Sequence, residues 1–123
     1  MRNLLKETLE LLEINNKKET DVKWVGTAYH KSTWEDFKKN ADVYYDIGYG
    51  SPKVAQDLLV VGENWWLERS EYDGSEWWDY KEMPKEPTEI IELKALTINQ
   101  ADDLGYDVSI GWENLLAING VSS

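Results

Sequence analysis

The feature that most constrains this chain is WWLERSEYDGSEWWDY, residues 65–80, in which Trp65-Trp66 and Trp77-Trp78 flank an Asp73-Gly74 dipeptide. Asp-Gly between two aromatic, alternating runs is a β-hairpin signal. Neighbouring strand residues point to opposite faces of a sheet. Each Trp pair must therefore split, one indole toward a core and one toward the second face. A two-residue turn places Arg69 opposite Trp78, Leu67 opposite Tyr80, Ser70 opposite Trp77 and Glu68 opposite Asp79. Directly opposed carboxylates are unfavourable unless a cation or donor intervenes. A three-residue turn instead sets Arg69 against Asp79, an ordinary salt bridge, and that register is the expected one.

Two readings of the tryptophans stay open. If helices cover both faces of the sheet, all four indoles are core, each worth roughly 2–3 kcal/mol of burial. Alternatively, Trp65 or Trp66 joins Trp77 or Trp78, with Tyr72 or Tyr80, in an exposed aromatic platform rimmed by carboxylates. Such a platform suits a protein partner or a flat ligand such as a nucleobase or sugar ring.

The rest of the chain reads as an α+β domain with a mostly antiparallel sheet of four to five strands, packed with N-terminal and C-terminal helices. At 123 residues it is expected to be a single domain. Leu4, Leu5, Leu9 and Leu12 form a helical stripe opposite Glu7, Glu10 and Glu13, which predicts a helix over 2–14. VKWVGTAYH predicts a strand over 22–29. Ser32 and Glu35 make a capping box, and Trp34, Phe37, Ala41 and Tyr44 recur at helical spacing over about 33–45. A three-strand meander follows from DLLVV, WWLERSEY and SEWWDYKEM. EIIELKAL, residues 89–96, reads as a further strand. Thr97 and Gln100 offer a second capping box, and Gly105 and Asn119-Gly120 close helices, the last over SIGWENLLAING.

Charge narrows the function. Residues 1–56 balance nine Lys/Arg against nine Asp/Glu, whereas residues 57–123 carry four against fifteen, so the whole net charge of −11 belongs to the second half. A field of that sign repels nucleic-acid phosphates and anionic membranes. TINQADDLGYDVSIGWENLLAI has the Ala101/Gly105 spacing of a helix-turn-helix, but its second helix offers Glu113 and Asn114 and no cation for a phosphate. Direct DNA or RNA binding is not expected. No apolar run is long enough to span a membrane, and the N-terminal segment lacks a secretory cleavage pattern. With no cysteine, disulfides and thiolate metal sites are excluded, which suits a cytosolic compartment.

Catalytic chemistry has little to stand on. His30 is the one histidine, near a strand end, and there is no phosphate-binding glycine loop, nucleophile elbow or metal-binding histidine pair. DDLGYD, residues 102–107, lacks calcium-loop spacing. A Glu68/Asp79 acid–base pair is conceivable only as one of many chance carboxylate pairs. No catalytic residue, cofactor or metal is expected. Between Glu63 and Glu92, acidic residues recur about every third position. They form either a solvated face or a surface that imitates phosphate spacing and docks on a basic groove. The expected partner-binding face is Glu68, Glu71, Asp73, Glu76 and Asp79. A ligand-binding variant of the platform would draw anion contacts from Arg69 and Lys81, helped by Lys23, Lys31, Lys38 and Lys39.

WEDFKKNADVYYDIGYGSPKVAQDLLVVGENWWLERSEYDGSEWWDYKEMP, residues 34–84, resembles a group of small bacteriophage and prophage proteins. The shared signs are a Trp-Glu-x-Phe helix, an Asp-x-Gly-Tyr-Gly bend, an Asp-Leu-x-Val strand and the WWLERxEYDGSEWW hairpin. The resemblance implies a viral accessory protein made in a bacterial cytoplasm and transfers no site. Three functions follow as expectations. The first is binding and inhibition of a host defence or nucleic-acid-processing protein through a basic surface. The others are sequestration of a nucleotide-like immune signal, or a structural role through homo-oligomerisation of the Trp face.

Overall fold

The computed structural model describes residues 1–48, 50–107 and 115–120. The chain forms two compact units, residues 1–84 and residues 85–123. The fold is α+β, with helices and an antiparallel five-stranded sheet.

In the first unit, β1 (Arg2–Asn3) leads into helix α1 (Leu4–Ile14), a short 3-10 turn and β2 (Val22–Gly26). Strand β3 (Lys31–Ser32), helix α2 (Trp34–Ala41) and β4 (Tyr44–Tyr45) follow. The meander is β5 (Leu59–Gly62), β6 (Trp65–Tyr72) and β7 (Ser75–Glu82). The main sheet runs β3-β2-β5-β6-β7, so β7 is an edge strand, and β1 pairs with β4 in a separate two-stranded ribbon.

Both helices lie on one face of the main sheet. Leu4 and Leu12 of α1 and Trp34, Phe37 and Ala41 of α2 pack with Val25, Val60, Trp65, Leu67 and Trp78 in one core. Within α1 the buried positions are Leu4, Thr8 and Leu12, while Leu5 and Leu9 are only partly covered. Thr8 is tolerated in the apolar stripe because its buried hydroxyl is satisfied both as donor and as acceptor. It donates to the Leu4 carbonyl at 2.7 Å and accepts the Trp78 indole N–H at 2.9 Å. In β2 the register shifts between Val22 and Trp24, so Val22 and Val25 both reach the core although they are three residues apart.

Helix α2 ends at Ala41, short of the expected 45. Its N-cap is Thr33, whose hydroxyl accepts the Asp36 N–H at 3.1 Å, rather than Ser32, which is held in β3 opposite Val25. Asp42 leaves the helix and accepts a hydrogen bond from Asn3 at 2.9 Å, and the Val43 carbonyl accepts from the Leu4 N–H at 3.0 Å. From there the period is two, which buries Tyr45 and exposes Tyr44, the reverse of a continued helix. The strand expected over 22–29 stops at Gly26, where a tight turn returns to β3. An added Cβ at Gly26 would lie 2.2 Å from the His30 carbonyl oxygen.

In the second unit, helix α3 (Ile98–Asp103) carries the expected Thr97/Gln100 capping box. Gly105, at φ +84, follows its C-cap. The segment 89–96 forms no strand, contrary to expectation. Backbone groups at its end are satisfied by a side chain instead. Asn119, just past α4 (Leu115–Ile118), accepts the N–H groups of Lys94 and Ala95 at 2.7 and 2.8 Å and donates to the Ala95 carbonyl at 3.0 Å. One amide thus replaces a neighbouring strand. Of the last helix expected over 109–120, residues 109–114 lie outside the described residues.

Candidate functional site

The hairpin turn has two residues, not three. Asp73 and Gly74 both have positive φ, 50° and 84°, the primed geometry that matches strand twist. Tyr72 pairs with Ser75, Arg69 with Trp78, and Glu68 with Asp79. The carboxylate repulsion that argued against this register is relieved by donors. Asp79 accepts from the Ser70 hydroxyl and from the Trp77 indole N–H, the latter at 3.0 Å, and Glu68 has Lys81 at 3.9 Å.

This register divides the aromatic residues. Trp65 and Trp78 enter the core and are 4% and 3% exposed. Tyr80 shares their face, stacked on Trp65 with ring centroids 6.0 Å apart, and so leaves the expected platform. Burial, with the Glu82 carboxylate accepting its hydroxyl proton, raises the Tyr80 pKa. Trp66, Trp77 and Tyr72 take the second, outer face, which neither α1 nor α2 covers. Trp66 is half-buried, Trp77 is 37% exposed and Tyr72 is 76% exposed.

Cross-strand pairing extends that outer face across the sheet. Trp24, Val61, Trp66 and Lys81 form one row, and Leu59, Glu68 and Asp79 the next. Trp24 was not expected here, because only the shift at Lys23 reveals which side of β2 it takes, and neither were Leu59 and Val61, because the apolar run DLLVV does not show which of its residues face outward. Among the expected partner contacts, Glu68 and Asp79 lie on this face, and Glu71 and Asp73 are exposed at the hairpin tip.

Glu76 and Arg69 do something different. Glu76, expected on the partner-binding face, is 3% exposed and turned inward. Its carboxylate accepts the backbone N–H groups of Lys53 and Val54 at 2.6 and 3.1 Å, and the Arg69 guanidinium at 3.0 Å. Arg69, expected as an anion contact, has no exposed side-chain surface. It bridges Glu76 and Glu7, donates to the Tyr45 hydroxyl at 3.3 Å, and lies over the Trp78 ring at 4.9 Å. Tyr45 in turn donates to Glu7. Arg2 adds a bond to the Glu76 carbonyl at 3.0 Å. Burial works to raise the Glu76 pKa, but the two backbone donors and Arg69 outweigh it and hold the carboxyl below its usual range. Burial also raises the Tyr45 pKa, helped by its bond to Glu7. This cluster locks α1, the loop at 53–54 and the hairpin together. It leaves the Arg69 Nε without a hydrogen-bond partner, but with the side chain wholly enclosed the guanidinium presents no surface to a ligand.

Comparison with protein-family models, curated proteins and solved structures gives no match. The site therefore stands on its own geometry. Lys81 is the expected anion contact that remains on the outer face, half exposed. No helix among the described residues is long and apolar enough to cross a membrane, and no described cluster of His, Asp or Glu has the arrangement to hold a metal ion.

Proposed function

We propose that this chain is a non-enzymatic, phage-type accessory protein that binds and inhibits a host protein through the outer face of its sheet. The observation that carries the reading is the sorting of the hairpin. One tryptophan of each pair is spent on the core, while Trp66, Trp77 and Tyr72 share the outer face with Glu68 and Asp79. Large, half-rigid aromatic groups rimmed by charge are the composition of an interface hot spot. With a net charge of −11, the complementary surface is basic, such as the groove of a host nuclease or another nucleic-acid-processing or defence protein. The host cytoplasm is the compartment where such a partner is met.

The nucleotide-sponge alternative draws less support. Arg69, one of its two hairpin cations, is enclosed by Glu7 and Glu76, and Tyr80 faces the core.

The test uses immobilised protein exposed to bacterial host lysate at low and moderate salt. Reversing charge at Glu68, Glu71, Asp73 and Asp79, with Glu76 left intact, abolishes retention of the salt-sensitive partner while circular dichroism stays unchanged. Reversing Glu10 and Glu13 on α1 leaves it in place. Retention indifferent to the outer-face changes contradicts the proposal.

A further inference from the structure

Strand β7 ends the five-stranded sheet, and among the described residues no strand pairs with its outer side. It is eight residues long, SEWWDYKE, with no register irregularity against β6. A long, regular aromatic edge is a template for another strand. In a hairpin with a two-residue turn, Ser75, Trp77, Asp79 and Lys81 direct their backbone groups to β6. Glu76, Trp78, Tyr80 and Glu82 direct theirs outward. The Arg2 guanidinium bonded to the Glu76 carbonyl at 3.0 Å agrees with this parity and caps the edge at that point. The open stretch is then Trp78–Glu82, centred on Tyr80.

We infer that β7 pairs antiparallel with β7 of a second copy of this chain about a two-fold axis at Tyr80, which joins two five-stranded sheets into one of ten strands. The choice of occupant rests on self-complementarity. With Tyr80 opposite itself, the bonded pairs are Trp78 with Glu82 of the second copy, Tyr80 with Tyr80, and Glu82 with Trp78, all within the uncapped stretch. On the outer face the same register sets Asp79 against the second copy's Lys81, twice, and Trp77 against Met83, which is 57% exposed. Opposite charges and a sulfur–aromatic contact thus meet across the seam. Shifting the axis to Asp79 opposes two aspartates and pairs Glu76 with Glu82. Shifting it to Trp78 uses the carbonyl that Arg2 already occupies.

On the inner side, a cleft of about 470 Å³ between α1 and this edge is walled by Lys6, Glu10, Leu11 and Ile14 with Trp78. Ile14 is 74% exposed. The two α1 helices would flank the seam and cover these apolar groups. Among the described residues Lys81 is held in its own chain by Glu68 alone, at 3.9 Å, so it can turn to the second copy's Asp79. This dimer is built on the backbone edge of the sheet and does not need the host partner proposed above, and of the outer face it engages only Trp77, Asp79 and Lys81, leaving Trp66, Glu68 and Tyr72 uncovered.

Sedimentation of the full chain over a wide concentration range tests the inference, at about 0.15 M salt where the repulsion between two acidic chains is screened beyond about 8 Å. The expected result is a reversible dimer. Glu82→Pro removes an outward N–H without touching the β6 ladder and yields a monomer with an unchanged circular dichroism spectrum. Lys81→Glu weakens the dimer roughly tenfold, and the exchange Asp79→Lys with Lys81→Glu restores it. Because the chain has no cysteine, Tyr80→Cys adds a readout of the axis itself. A bonded antiparallel pair lies about 5.5 Å apart at Cα, within disulfide reach. Oxidation therefore gives a covalent dimer, whereas Glu71→Cys does not. A monomer at every concentration overturns the inference, as does a dimer that survives Glu82→Pro or a charge exchange that fails to restore association.

Discussion

Replacing Arg69 by methionine isolates the part of the hairpin that the sequence disguised as surface. The change keeps much of the side-chain volume but removes the cation between Glu7 and Glu76, whose side chains are 9% and 1% exposed. Removing one partner of a buried pair leaves an uncompensated charge, at a cost of about 3–5 kcal/mol. A domain of this size has roughly 5–15 kcal/mol to lose. At about 4 °C per kcal/mol, the melting midpoint drops by roughly 10–20 °C. Thermal unfolding followed by tryptophan emission reads this directly, because Trp78 lies under the guanidinium at 4.9 Å. The pH dependence supplies a second test. The Glu76 carboxyl is held below its usual range in the folded state, against a pull from burial in the other direction. Its contribution is therefore fully present above the unfolded carboxyl pKa of about 4.3 and is lost as pH falls through the lower folded value. Glu76→Gln removes that acid-side loss and lowers stability at pH 7 by about 1–3 kcal/mol. An Arg69→Met protein within 1 kcal/mol of the parent, or an acid limb unchanged by Glu76→Gln, refutes the reasoning.

Two further outcomes follow from local packing. A Cβ on Gly62 would sit 2.1–2.3 Å from the Trp65 indole, so Gly62→Ala displaces that ring and destabilises by about 1–3 kcal/mol; urea denaturation and a shift in near-ultraviolet dichroism report it. Asn119→Ala removes the acceptor for Lys94 and Ala95, and hydrogen exchange at those two amides accelerates by at least tenfold, while the amides of Val60 and Leu67 keep their protection.

The hairpin was legible because strand alternation and an Asp-Gly turn are local rules. They alone dictate that each Trp pair splits. Its register was not, because the repulsion between Glu68 and Asp79 is relieved by Ser70 and the Trp77 indole on the same face. Those donors become visible only after the register that brings them there is assumed. The Arg69 cluster was hidden for a different reason. Glu7 sits on the polar side of an amphipathic pattern, and nothing nearby in sequence marks it as the partner of a residue 62 positions away. The one local hint was Thr8 within the Leu4–Leu12 stripe, a polar residue where the helix is otherwise apolar. Likewise, EIIELKAL carries a strand composition, yet Asn119 from a distant turn satisfies its end. Strand propensity states that a segment fits a pleated surface and cannot supply the neighbouring strand.

The sorting of the tryptophans is the claim on which the functional reading depends, and fluorine NMR of protein carrying 5-fluorotryptophan measures it residue by residue. Resonances are assigned by single Trp→Phe changes and then followed as the salt-sensitive partner is added. The account predicts that Trp66 and Trp77 shift or broaden while Trp65 and Trp78 stay in place. Movement of the Trp65 and Trp78 resonances, with Trp66 and Trp77 unmoved, would contradict it.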